Sequence, residues 1–157
     1  MINVLFVCLG NICRSPMAEA YFKDHVTKQG LRDQFFIDSA GMGAWHTGKG
    51  PHQGTRKKLD EQNISYQGIK ARQVKMDDLD NFNYIIAMDD QNLADLAQLS
   101  EVAPQAKVAK LLDFVDHSAH KNVPDPYFTG DFDQTFQLVE QGCLALLLHI
   151  KQELNLS

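Results

Sequence analysis

No stretch of this chain approaches the roughly 18 consecutive apolar residues that read as a membrane span. The apolar start, Ile2 to Val7, lacks the basic leader and small-residue cleavage site of a secretory signal, so it reads as a buried strand. Cysteine is scarce: Cys8, Cys13 and Cys143 are the only three in 157 residues. An odd count without framework spacing argues against a disulfide scaffold and for a reducing compartment, so a cytoplasmic protein is expected. Positive charge is not in excess either. The formal net charge is −5, which gives no general reason to expect a nucleic-acid partner. The short run Arg56-Lys57-Lys58 reads as a solvated helix face. His117 and His120 lack the Cys or acidic pattern that completes a metal set, and Gly48-Lys49-Gly50 lacks the glycine and Ser/Thr frame of a nucleotide loop. No metal and no other cofactor is therefore expected. The sequence shows no internal repeat, low-complexity tract or linker, and its length predicts one domain over residues 1–157.

What is present is an alternation of strand and helix patterns. Strands are predicted over Ile2–Val7, Phe35–Asp38, Tyr84–Met88 and Lys107–Leu112, the second closed by Ser39-Ala40-Gly41. Helices are predicted over Pro16–Gln29, Thr55–Gln62, Gln91–Gln98 and Asp133–Leu154, with a short helical turn over Asp77–Asp80. The last helix carries an apolar stripe of Phe136, Val139, Cys143, Leu146, Leu147, Ile150 and Leu154. Within it Cys143 reads as a small core residue. Gly41–Gly54 and Asp113–Gly130 read as long loops, and loops of that length in a compact domain are often functional. Alternating strands and helices imply right-handed crossovers, hence an α/β fold: a parallel sheet with helices on both faces. Ligands of such sheets bind at the carboxyl ends of the strands. Cys8, Ser39, Met88-Asp89 and the loop after Leu112 all fall at such ends.

The stretch Cys8-Leu9-Gly10-Asn11-Ile12-Cys13-Arg14-Ser15-Pro16 joins the first strand to the first helix. Ser15 is suited to cap that helix and Pro16 to occupy its first position, where no N–H is needed. The loop N–H groups and the helix N-terminus then face one spot, which favours an anion. They and the Arg14 guanidinium favour a thiolate at Cys8. Arg14 can also grip two oxygens of a tetrahedral oxyanion through its planar fork. Gly10 and Asn11 tolerate the left-handed backbone that a loop closing around an anion needs. Asp125, set between Pro124 and Pro126, reads equally well as a turn aspartate or as a rigidly held acid. Cys13 shares the loop with Cys8. It reads either as a buried floor residue or as a thiol that traps an oxidised Cys8 in a reversible disulfide.

Val7 to Pro16 resembles the phosphate-binding loop of the low-molecular-weight protein tyrosine phosphatases. Asp38-Ser39-Ala40-Gly41, Ala71-Arg72-Gln73, Met88-Asp89 and Asp125-Pro126-Tyr127 also match that family in order and spacing, over essentially the whole chain. The resemblance implies a four-stranded sheet of order 2-1-3-4. It implies Cys8 as nucleophile, Arg14 as the phosphate grip and Asp125 as general acid. It further implies Leu9, Gly10, Asn11, Ile12, Cys13 and Ser15 around the phosphate, with Glu19, Ser39 and Asp89 supporting the loop. Leu9, Trp45, Tyr127 and Phe128 fall at cleft positions. The expected activity is hydrolysis of phosphotyrosine in proteins through a phosphocysteine intermediate, with inorganic phosphate or similar oxyanions as ligands, in a monomer or weak homodimer. Two departures stand out. Ile69 occupies a position where many members carry histidine, which predicts that Glu19 has lost a partner, and Phe128 replaces a second tyrosine. An arsenate reductase on the same scaffold needs further cysteines to resolve the first, and Ala87–Gln98 contains none. A protein arginine phosphatase is similar in loop but carries threonine where Ile12 stands. A non-enzymatic oxyanion-binding module is expected to lack the nucleophile or the acid, and Cys8 and Asp125 are both present.

Overall fold

The computed structural model describes residues 1–156. Its strands β1 (Ile2–Cys8), β2 (Phe35–Gly41), β3 (Tyr84–Ala87) and β4 (Lys107–Lys110) form one parallel sheet ordered β2-β1-β3-β4. β1 is central and buried from Val4 to Cys8, which is why it reads as an unbroken apolar run and not as an alternating one. Its side chains still divide by the two-residue period of a strand. Val4, Phe6 and Cys8 face a core shared with α1 (Arg14–Lys28) and α6 (Phe132–Leu154). Leu5 and Val7 face a second core shared with α3 (Asp78–Asn81) and α4 (Asp90–Ala97). Helices thus cover both faces, as the alternation predicts. Phe22 of α1 packs edge-on between Phe6 and Phe35, and a fully buried side chain of this size contributes about 1.5–3 kcal/mol.

The stripe on α6 is buried from Phe136 to Ile150, but Leu154 at its end is exposed. Cys143 lies in that stripe, and burial pushes its thiol well above the ordinary range, as suits a core residue. α6 lies close over the end of the sheet because Gly142 has no side chain. A Cβ there would lie 2.3 Å from Cγ of Leu111.

Several boundaries move. Ser39-Ala40-Gly41 does not close β2 but forms its last three residues, in register with Phe6, Val7 and Cys8. β4 ends at Lys110, because Asp113 accepts from the Lys110 N–H at 2.9 Å and turns Leu111–Phe114 into a 3₁₀ turn. The second helix, α2 (Gln53–Glu61), starts two residues before Thr55, with His52 as its cap. The long segment after Asp113 also holds a short helix, α5 (Pro126–Thr129). Asp125 caps it and Gly130, at φ 76°, ends it.

Candidate active site

Cys8 ends the central strand, so the loop that follows it opens at the middle of the sheet's carboxyl edge. The next residues wrap around its sulfur. Asn11 takes the left-handed conformation expected of it, at φ 57°, and its N–H points at Cys8 Sγ from 3.3 Å. α1 starts at Arg14, earlier than the Ser-Pro pair suggests. Ser15 is therefore not the cap: Cys13 occupies that position, and no side chain caps the helix. Ser15 sits inside the first turn, with its hydroxyl 2.9 Å from Cys8 Sγ. The first turn is left facing the loop's centre, where an anion can take the role of a cap.

Ser15 belongs to a buried hydrogen-bond chain organised by Asn11. Arg72 N–H can only donate, and it reaches Asn11 Oδ1 at 3.0 Å, which fixes the orientation of the Asn11 amide. Asn11 Nδ2 then donates to Ser39 Oγ at 2.9 Å and to Ser15 Oγ at 2.8 Å. Ser39 passes its hydrogen to Glu19 Oε1 at 2.6 Å. Ser15 Oγ accepts from Asn11 and lies 2.9 Å from the Cys8 sulfur, so it links Cys8 to this chain.

Ile69 gives Glu19 no hydrogen bond, and Glu19 keeps two other partners, Ser39 and Lys23. Lys23, one turn along α1, meets its other oxygen at 2.5 Å, while Ile69 packs into the core. Burial still raises the Glu19 carboxyl above its ordinary range, against the hydrogen bonds from Lys23 and Ser39.

Arg14 is buried along its length. One terminal nitrogen donates to Asp89 Oδ2 at 2.6 Å and to the Val123 carbonyl at 2.9 Å; the other donates to Asp125 Oδ2 at 3.2 Å. Burial works against the guanidinium's charge, but Cys8, Asp89 and Asp125 outweigh it and hold Arg14 above its ordinary value. Arg14 Nε is the one buried side-chain polar atom among the described residues that has no hydrogen-bond partner. Asp89 also caps α4, its Oδ1 accepting from Asn92 N–H at 2.8 Å. Asp125 accepts from Tyr127 N–H at 3.1 Å. Cys13 is pushed up to about 12, first by burial and then by the charges of Cys8 and Asp125, so it stays a thiol.

Above this floor lies a cavity of about 380 Å³ lined by Cys8, Leu9, Gly10, Ile12 and Cys13 of the loop and by Trp45, His46, Asp125, Tyr127 and Phe128. Trp45, Tyr127 and Phe128 are exposed. The model for the family described as "Low molecular weight phosphotyrosine protein phosphatase" matches residues 3–156. The chain belongs to that family. It is 50% identical to the low molecular weight protein-tyrosine-phosphatase YfkJ of Bacillus subtilis over 156 residues, covering 99% of this chain and 100% of that one. The crystal structure of YfkJ superposes with a TM-score of 0.95 over 98% of this chain and 96% of that chain. The Staphylococcus epidermidis phosphatase PtpA is 41% identical over 99% of this chain and 98% of its own. A Drosophila arginine phosphatase is also similar, at 33% identity and a TM-score of 0.87, covering 94% of this chain and 97% of that chain.

Every residue singled out in the phosphatase loop, together with Glu19, Ser39, Asp89 and Asp125, lies in this one cluster. Three features escape sequence reasoning. Lys110 meets Asp90 at 2.7 Å and Asn122 at 3.2 Å, and Asn122 accepts from Asp90 N–H at 3.0 Å. These bonds dock the segment that carries Asp125 onto the ends of β3 and β4. Arg72 is clamped by Asp38 at 3.0 Å and Asp78 at 2.9 Å, which holds its N–H against Asn11. His46 lines the cavity beside Trp45; its position next to that exposed tryptophan was the available signal.

Proposed function

We propose that this phosphatase-family chain hydrolyses phosphotyrosine in proteins through a phosphocysteine intermediate. The observation that carries the reading is the orphaned Arg14 Nε. A buried guanidinium N–H without a partner, in the same loop as a cysteine met by the Asn11 N–H and the Ser15 hydroxyl, suits a tetrahedral oxyanion. In this scheme the Cys8 thiolate attacks phosphorus in line, and the S–P bond forms as the P–O bond to the phenol breaks. Arg14 and the loop N–H groups take up the charge on the equatorial oxygens. Asp125, which lines the cavity, gives its proton to the departing phenolate. The same carboxylate then accepts a proton from water, which attacks phosphorus and returns Cys8 as thiolate. The scheme requires no cofactor. Trp45 and Tyr127 flank the substrate ring; aromatic pairs of this kind add about 0.5–1.5 kcal/mol beyond burial.

Steady-state assays with phosphotyrosine, phosphoserine and phosphoarginine peptides test the assignment. Phosphotyrosine is expected to have the highest kcat/KM, because a phosphoserine reaches too short a distance from the rim to Cys8. A preference for phosphoarginine would transfer the reading to the activity named for the Drosophila relative. We place the protein in the cytoplasm, with Cys13 guarding Cys8 against peroxide. Oxidation of Cys8 to a sulfenic acid removes the negative charge that helps raise Cys13, and the Cys13 sulfur then displaces water to form a disulfide. After peroxide, dithiothreitol should restore the wild type far better than Cys13→Ser; equal recovery contradicts the pairing.

A further inference from the structure

The basic residues of the Gly-rich loop and of α2 are not used by this mechanism. Lys49, His52, Gln53 and Arg56 line a second recess of about 360 Å³. It shares Ile12, His46 and Tyr127 with the catalytic cavity, so the two meet along one wall. No aspartate or glutamate lines it. On the neighbouring face of α2, by contrast, Arg56 and Lys57 stand among Asp60 and Glu61. Among the described residues Lys49 and Arg56 reach no carboxylate, whereas Lys58 is taken up by Glu61 at 3.1 Å and Asp133 at 2.9 Å.

The recess is built to a fixed shape. His52 N–H donates to the Ile12 carbonyl at 2.7 Å, which registers the recess to the catalytic loop. The His52 ring stacks on Phe132 at 5.2 Å and meets the edge of Tyr127 at 6.1 Å. Its Nδ1 accepts from Gly54 N–H at 3.0 Å, so its ring hydrogen is on Nε2, a donor. The loop bearing Lys49 is pinned on both sides: Gly48 N–H donates to the Ala71 carbonyl, and Ala71 N–H donates to the Lys49 carbonyl, each at 2.8 Å.

We propose that this recess receives a carboxylate side chain, an aspartate or glutamate close in sequence to the phosphotyrosine of the polypeptide substrate. The inference rests on the phosphotyrosine reading of the catalytic cavity. With the ring held between Trp45 and Tyr127, the substrate backbone crosses the rim, and its flanking residues pass the wall the two recesses share. A carboxylate there meets Lys49, Arg56 and the His52 donor with no acidic residue opposing it. The subsite selects among phosphotyrosine sequences and takes no part in the chemistry.

The test compares phosphotyrosine peptides in which one glutamate is walked along the residues flanking the tyrosine, then replaced by glutamine or lysine. At one position glutamate should raise kcat/KM about three- to tenfold over glutamine at low salt, as partly exposed charge pairs do. The advantage should shrink as salt is raised. In the double variant Lys49→Glu/Arg56→Glu the order should invert, with the lysine peptide now preferred. Lys57→Glu, on the same helix but outside the recess, should keep the wild-type order. Equal kcat/KM for all three peptides, or the same inversion in Lys57→Glu, overturns the subsite. Failure to hydrolyse any phosphotyrosine peptide overturns the underlying reading and this inference with it.

Discussion

The floor and the rim of the catalytic cavity are made in opposite ways. The floor is buried and polar: Cys8, Asn11, Ser15, Glu19 and Ser39 are almost wholly removed from water and bonded in one chain, and the equally buried Arg14 is held by Asp89 and Asp125. The rim is exposed and aromatic, with Trp45 67% and Phe128 74% accessible. Burying polar groups costs stability unless each finds a partner, so the floor is tightly specified, and changing one member disturbs the others. The rim has no such hydrogen-bonded coupling: Tyr127 meets His46, His52 and Phe128 through ring contacts alone, and the exposed Trp45 can change at the cost mainly of its own contact with substrate. The floor therefore sets the reaction, and the rim sets which phosphate esters reach it.

The sharpest way to break this division is at the nucleophile. Cys8→Ser should abolish turnover while leaving the fold, followed by circular dichroism, and inorganic phosphate binding largely intact. Measurable multiple turnover in that variant would remove Cys8 from the mechanism. Next in size is Asp125→Asn, which should lose about 10²–10⁴ in kcat on phosphotyrosine, the usual contribution of a general acid. The loss should shrink for aryl phosphates whose leaving group needs no proton, and equal losses across leaving groups would assign Asp125 another role. Asn11→Ala attacks the floor without touching its chemistry. It leaves Ser39 and Ser15 short of a donor and Arg72 N–H short of an acceptor, so it should cost about 1–3 kcal/mol in urea unfolding as well as slow turnover. An unchanged denaturation midpoint would show the floor to be less coupled than described. Trp45→Ala is the mildest. It should raise KM for phosphotyrosine peptides several-fold, leave kcat within about a factor of two and leave stability unchanged, because an exposed side chain holds little of the fold together.

The floor was more legible in the sequence than the rest because its signal is local. Cysteine, arginine and the left-handed Asn11 lie within one turn between a strand and a helix, where spacing alone brings them to a point. The sheet was legible for the same reason, since β1 and β3 are short apolar runs with clear ends. Only the capping role of Ser15 was misread, because a serine before a proline matches a helix cap in composition while the helix starts one residue earlier, at Arg14. The Lys110–Asp90–Asn122 brace and the Arg72 clamp were not legible. Each joins residues from separate segments, and no local pattern marks a lysine at a strand end as a docking residue. The end of β4 was misjudged because the apolar pair Leu111-Leu112 follows it directly while Asp113 bends the chain.

The measurement closest to the central claim is to trap the intermediate. Asp125→Asn, which leaves Cys8 and the loop intact, is mixed with an aryl phosphate whose leaving group needs no proton, and then quenched in acid. Fragmentation mass spectrometry then locates any phosphoryl group. The account predicts phosphate on the Cys8 sulfur, with a burst of phenol matching the enzyme concentration. Phosphate on Cys13 or Ser15, or a burst without any phosphoenzyme, would contradict it.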